Sequence, residues 1–268
     1  MGGRSHLSRL LPEILQASPT TFLRACSEFE VVELQREYLR TYQIFLDVKG
    51  GGITASVLQS GHFQWDLFSL LDKQTVPGDV RFINVGANIG TSCLNAHKYG
   101  FRDFVAFEPV TSNFRLLEQN LQQLGIDSRL ELNQKAVGSQ SAKMKINLSI
   151  NDGGLHSIVR EFEGATEEVQ VVRLDDCLPD GPGFLWIDTE GYELEVLKGA
   201  QRYIAKWAQG LCVEITPILL ETHGIAEIDA ILSTSFTRYL TTDGRKWDRI
   251  SEIKDLKRGH QTDVVCLK

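Results

Sequence analysis

The chain has 268 residues, 42% of them hydrophobic and 24% charged, which supplies a large core and excludes wholesale disorder. A formal charge of -7 and the lack of any dense Lys/Arg block exclude a phosphate-backbone binder; the nearest thing, Lys254 to Arg258, is interleaved with Asp255 and lies close to Glu252. Five isolated cysteines, Cys26, Cys93, Cys177, Cys212 and Cys266, include no C-x-x-C pair, which argues against a disulfide framework and a structural zinc and for reduced thiols in a cytoplasmic protein.

In chain order, MGGRSHLSRLLPEILQ is broken by Ser8, Arg9, Pro12 and Glu13 and so lacks the apolar core of a signal peptide. No stretch approaches the ~18 apolar residues of a membrane span. Residues 1–46 read as helical, with Phe22, Cys26 and Phe29, then Leu34, Tyr38 and Tyr42, at helical intervals and Pro12 and Pro19 near helix starts. Gly50, Gly51 and Gly52 break that pattern, and 53–58 reads as a short strand. Residues 1–60 are thus expected to form an N-terminal helical cap and strand, part of the same domain as a Rossmann-like unit over 61–268.

VRFINV at 80–85 is an apolar run ending in glycine, as in a buried parallel strand. A helix over 90–99 follows, then a strand at 104–107. Thr111 or Ser112 then caps a helix whose stripe is Phe114, Leu117, Leu121 and Leu124, with Gly125 as its stop. A third strand is expected over 130–137, and extra strands at 143–150 and 169–174 form a small β insertion. A fourth core strand at 184–187 leads to the stripe Val196, Leu197, Ala200 and Ile204, split at Gly199. Strands at 211–215, 236–241 and 263–267 close the pattern. Strand and helix alternating in this way predict an α/β fold, doubly wound around a mostly parallel seven-stranded sheet with right-handed crossovers.

Three segments carry chemistry. VGANIG, 85–90, is a glycine turn between strand and helix; Gly86 permits close approach to the backbone and Gly90 permits tight packing of the helix start. Asn88 occupies the second glycine position of the dinucleotide fingerprint and Gly90 comes one residue early, which favours a ligand without a pyrophosphate. Glu108, at the end of the second strand, is placed to accept hydrogen bonds from ribose hydroxyls. IDTEGYELEVLKGA, 187–200, puts Asp188 and Glu190 at the carboxyl edge of the sheet, where open α/β sheets bind ligands. Thr189 and Glu193 in the same segment are also placed to cap a helix.

VGANIG, VAFEPVTSNFRLLEQNL, KAVG at 135–138, RLDDCL at 173–178, IDTEGYELEVLKGA and VEI at 213–215, in that order and spacing, resemble the FkbM-type methyltransferases. The resemblance runs over about half the chain, 80–214. It implies an enzyme that uses S-adenosylmethionine to O-methylate a small-molecule or glycan acceptor with a free hydroxyl, such as a sugar or secondary metabolite. It also implies roles for individual residues. Asn84, Gly86, Ala87, Asn88 and Gly90 would surround the amino-acid part of the cofactor, Glu108 its ribose, Asn113 the adenosine end, and Lys135 and Ala136 the adenine. Asp188 would sit beside the sulfonium. The family usually has an aspartate where this chain has Asn84 and often a lysine where it has Trp186.

For such a transfer the nucleophile and methyl must be held in line at ~3–3.5 Å, and a base assists an aliphatic hydroxyl. Candidates for the base are Asp188, Glu190 and His156, the last in the glycine-containing loop NDGGLHSI at 151–158. Glu214 ends the fifth strand and either faces the acceptor or caps the strand. No metal is assigned, although Asp188, Glu190 and Glu214 at one edge are the residues that would hold a divalent cation. The competing readings are a catalytically silent binding module, motivated by Asn84 and Trp186, and a nicotinamide-dependent oxidoreductase.

Overall fold

A computed structural model describes residues 31–34, 42, 44–47, 51–60, 63–71, 79–149, 153, 155–161, 164–220 and 223–268. The expected helical positions Phe22, Cys26, Phe29 and Tyr38, with Pro12 and Pro19, lie outside these residues.

The central sheet is built on apolar runs that need cover on both faces. β3 (Arg81–Val85), β4 (Phe104–Phe107), β5 (Leu130–Asn133), β9 (Gly183–Ile187) and β10 (Ala208–Ile215) are mutually parallel, and β3 is central, paired in register with β4 on one side and β9 on the other. Alternation along these strands sorts their side chains. Phe82, Ala106, Phe184, Trp186 and Cys212 pack on one face against α1 (Gly51–Ser60), α2 (Trp65–Leu70), α3 (Thr91–Tyr99) and α4 (Thr111–Gln122). Ile83, Val85, Leu185, Ile187, Leu211 and Val213 pack on the other against α6 (Glu193–Lys198), α7 (Gln201–Lys206) and α8 (Gly224–Leu232). This is the two-sided cover of a doubly wound sheet.

The sheet has eight strands and is mixed, not the mostly parallel seven expected. With β11 (Arg238–Thr241), β12 (Lys246–Trp247) and β13 (Thr262–Leu267), its order is β12-β11-β13-β10-β9-β3-β4-β5. After β11 the chain folds back in a two-residue edge strand, β12. It then passes through α9 (Lys254–Lys257) into β13, which inserts antiparallel between β10 and β11. The helix split at Gly199 is as expected.

Three further expectations are corrected. Residues 31–34 and 44–47 are strands, β1 (Val31–Leu34) and β2 (Ile44–Asp47), paired antiparallel, so this part of the N-terminal region is not a helical cap and Leu34 is not on a helix. The run at 53–58 is helical and belongs to α1. Ile53 and Val57, one helical turn apart, are both buried, and Gly51 and Gly52 fall in the first turn, where no intrahelical N–H bond is lost. The strand expected over 130–137 breaks at Gln134. β5 stays in the central sheet, whereas β6 (Ala136–Val137) leaves it to pair with β8 (Thr166–Val172), itself antiparallel to β7 (Ala142–Asn147), in a separate three-stranded sheet. That sheet is the expected β insertion. α5 (Leu174–Cys177) returns the chain to β9. Cys93, Cys212 and Cys266 are buried, while Cys177 is exposed. Among the described residues no helix is long and apolar enough to cross a membrane.

Candidate active site

The carboxyl ends of β3, β4, β9 and β10 converge on two adjoining cavities open to solvent. Gly86, Asn88, Asp188 and Glu190 line both, so the turns after β3 and β9 form a shared wall. The first cavity is also lined by Glu108, Asn113, Lys135, Ala136 and His156, with apolar surface from Phe107, Val137, Ile146 and Ile158. The second adds Ala87, Thr91 and Ser92, Phe63 and Gln64 from the N-terminal region, Leu155 from the insertion, and Glu214 and Gln261.

The turn after β3 is shaped by the protein around it. Gly86 has φ +80, and a Cβ there would lie 1.7 Å from the Asp188 carbonyl oxygen. It is therefore glycine because the β9 turn crosses it. A Cβ on Gly90 (φ +92) would meet Leu117 Cδ1 at 2.9 Å, so that glycine serves the packing of α3 on α4. Every backbone N–H from 86 to 90 has a partner within the chain. Those of Gly86 and Ala87 reach the Phe107 carbonyl, and that of Gly90 reaches the Ala87 carbonyl. The Ile89 N–H is taken by the Asn88 side-chain oxygen and the Asn88 N–H by Glu108. The turn thus presents no ring of spare amides to a pyrophosphate.

Glu108 is buried, with one oxygen accepting from the Asn88 N–H and the other from the Val110 N–H, each at 2.9 Å. Burial pushes its carboxyl up to about 7 despite those two bonds, and the nearby Glu167 charge adds to the rise. Each oxygen keeps a second lone pair. Asn88 and Asn113 both donate their side-chain amides to the Gly153 carbonyl, at 3.1 and 3.0 Å, docking the insertion loop over the first cavity.

Not every expected residue arrives. Asn84 is fully buried on the face covered by α1–α4, where its amide donates to Cys93 Sγ at 3.4 Å, and it lines neither cavity; alternation from Phe82 dictates that direction. Gly90 lines neither cavity. His156 reaches only the first, with Nδ1 accepting from the Ser149 N–H. In that tautomer Nε2 carries the proton and is a donor. Trp186 is buried beneath the site, stacked on Phe68 with ring centroids 4.6 Å apart.

The turn after β9 is held by buried Glu193, one oxygen of which accepts from the Thr189 N–H and hydroxyl and the Gly191 N–H. The helix-capping role expected of Glu193 is thus spent on this turn. Glu190 has φ 52; its carbonyl accepts from the buried Ser157 hydroxyl and its carboxylate pairs with Arg160 at 3.3 Å. Asp188 accepts from the Gln64 amide at 3.1 Å, and Gln64 in turn accepts from Ser92. Burial raises the carboxyls of Asp188 and Glu214, and the Asp188 charge lifts Glu214 further. Asp263, opposite Glu214 across β10 and β13, is raised to about 7 by burial and then by Asp188. Gln64, Ser157, Arg160, Tyr192 and Gln261 were not anticipated. Gln64, Arg160 and Gln261 come from segments without a local motif, whereas Ser157 and Tyr192 lie inside NDGGLHSI and IDTEGYELEVLKGA, where nothing in the sequence distinguishes them.

An eight-stranded mixed α/β sheet with a glycine turn after its central strand and acids at neighbouring strand ends is the architecture of a methyltransferase-like fold. Residues 84–240 match the methyltransferase FkbM domain, and the chain belongs to that family. Among solved structures, the methyltransferase FkbM from Methylobacillus flagellatus KT aligns with a TM-score of 0.50 at 16% identity, covering 98% of this chain and 60% of that one. This chain therefore spans about three-fifths of that protein's length, and the likeness is one of fold. The precorrin-6y C5,15-methyltransferase from Geobacter metallireducens GS-15 aligns at 10% identity with a TM-score of 0.38 over 75% of this chain and 86% of its own. The ribosomal protein L11 methylase from Lactobacillus delbrueckii subsp. bulgaricus aligns at 13% identity with a TM-score of 0.40 over 76% and 77%. No curated protein matches the chain.

Proposed function

We propose that the protein is an S-adenosylmethionine-dependent O-methyltransferase acting on a hydroxyl of a sugar, glycan or secondary metabolite. The observation that carries this reading is the committed state of the 86–90 amides beside the buried Glu108 carboxylate. Such a pocket suits a nucleoside without phosphates. The first cavity fits that ligand: Glu108 receives ribose hydroxyls, Asn113 lies at the adenosine end, and Lys135 and Ala136 border the adenine among Phe107, Val137, Ile146 and Ile158.

Gly86, Ala87 and Asn88 then border the amino-acid end of the cofactor, and the second cavity receives the acceptor. When bound, the cofactor supplies a methyl group on a cationic sulfur. Asp188 and Glu190, on the wall common to both cavities, stand where the acceptor hydroxyl gives up its proton. His156, confined to the first cavity, is a nucleoside neighbour in this reading.

Calorimetric titration of S-adenosylmethionine into wild type and Glu108→Ala tests it. Losing hydrogen bonds to a charged group costs about 1.5–3 kcal/mol, so the variant should bind roughly 10- to 150-fold more weakly. Absence of binding to either S-adenosylmethionine or S-adenosylhomocysteine would sink the reading, and saturable NAD binding in their place would support an oxidoreductase. Binding without turnover on a panel of hydroxylated acceptors would leave a silent module.

A further inference from the structure

We propose that the carboxylates of Asp188, Glu190 and Glu214 form a site for one hard divalent cation, with acceptor oxygens completing its shell. Each residue offers one carboxylate oxygen, and the three oxygens lie within 4.8 Å of one another. An ion with metal–oxygen bonds of about 2.3–2.6 Å bridges oxygens up to roughly 5 Å apart, and an all-oxygen set selects Mg²⁺, Mn²⁺ or Ca²⁺ over softer metals.

Glu214 supplies the second, independent sign of a ligand. It is 7% exposed, it lines the second cavity, and its Oε2 accepts from no protein donor, the contacts of its carboxyl being the Asp188 carboxyl and Gln261. A buried carboxylate oxygen without a donor is costly unless something absent from the protein satisfies it.

The charge balance points the same way. Asp263 brings a fourth carboxylate beside Glu214, whereas among the described residues the cation paired with the cluster is Arg160, on the Glu190 carboxylate. Gln64 on Asp188 and Gln261 on Glu214 are neutral donors that would orient the ligands from behind. All three carboxylates line the second cavity, so the open coordination positions face the place assigned to the acceptor. A hydroxyl bound to the ion is more acidic, and coordination then assists its deprotonation. The acceptor oxygens and this last use rest on the methyltransferase reading; the three-carboxylate ion site stands without it.

The test uses Mn²⁺ as the probe, titrated into the full chain with neither cofactor nor acceptor and followed by loss of the free-ion paramagnetic resonance signal. One Mn²⁺ should be taken up per chain. Glu214→Gln and Asp188→Asn should each weaken uptake at least ~10-fold, the scale at which even outer partners of metal sites act. Both variants remove like-charge repulsion, and their circular dichroism should match wild type. In parallel, Mn²⁺ should raise the melting temperature of wild type and leave that of Glu214→Gln unmoved. No uptake by wild type up to about 1 mM Mn²⁺, the weak end for oxygen-ligated sites, overturns the proposal, as does uptake that Glu214→Gln does not change. Mn²⁺ uptake without S-adenosylmethionine binding would keep the ion site and discard the methyltransferase reading.

Discussion

The backbone at Gly86 passes so close to Asp188 that a methyl group on Gly86 would lie 1.7 Å from the Asp188 carbonyl oxygen. The two turns that make the shared wall therefore fix each other. Gly86→Ala must displace the Asp188 turn and also hold φ near +80, which alone costs about 1–3 kcal/mol. Urea unfolding should show a loss of at least about 2 kcal/mol, with cofactor affinity falling as well. A variant of unchanged stability would mean that the crossing is looser than described.

Glu108 predicts a pH dependence of defined sign. Its folded pKa of about 7 lies above the ordinary 4.5, so the folded chain holds a proton that the unfolded chain releases between those values. Its contribution to stability falls as pH rises through that window and levels off above it. In the proposed role of Glu108, ligand binding runs the other way, because ribose hydroxyls would donate to the ionised form. Affinity for S-adenosylmethionine should rise about 10-fold between pH 6 and pH 8, following the ionised fraction. Glu108→Gln should abolish that slope, and a wild-type profile that is flat would remove Glu108 from the ribose.

Trp186 should be costly to shorten. It is 1% exposed and stacked on Phe68 of α2, the helix that follows Gln64. Trp186→Ala should lose about 3–5 kcal/mol. Because Gln64 holds Asp188, a milder Trp186→Phe variant should disturb the acceptor KM more than cofactor affinity. Equal effects on both would detach the aromatic stack from the acceptor side.

The N-terminus of α4 is capped from outside its own sequence. Glu167 on β8 accepts from both the N–H and the hydroxyl of Thr111, in place of the local Thr111 or Ser112 cap that the sequence suggests. Glu167→Ala should cost about 0.5–2 kcal/mol, the usual value of a lost cap, read as a lower melting temperature. No change would show that solvent replaces the cap.

The strands of the central sheet were legible because β3, β4, β9 and β10 are nearly unbroken apolar runs, a pattern that burial on both faces requires. The run at 53–58 was misread because Ile53, Thr54 and Val57 are β-branched, while the decisive fact, burial of Ile53 and Val57 one turn apart, belongs to tertiary packing. The break between β5 and β6 falls at Gln134 and Lys135, with no Gly or Pro to mark it. Asn84 sits two residues before Gly86, and only its shared face with Phe82 reveals that it points away from the cavities. Acidic positions at strand ends were readable from the doubly wound rule, whereas the Gln64 and Gln261 contacts depend on long-range closure.

Because β13 runs antiparallel, it delivers its beginning to the edge where the parallel strands deliver their ends. Gln261 thereby meets a cavity whose other walls start at Gly52, and Glu214 gains Asp263 as its cross-strand neighbour. The lining of the first cavity is complete in sequence at Tyr192, with Glu193 and the helices that hold its turn directly after it, whereas the second takes its last wall from Gln261. The second cavity, which joins Gly52 to Gln261, is thus the more non-local of the two and depends on closure of the whole sheet.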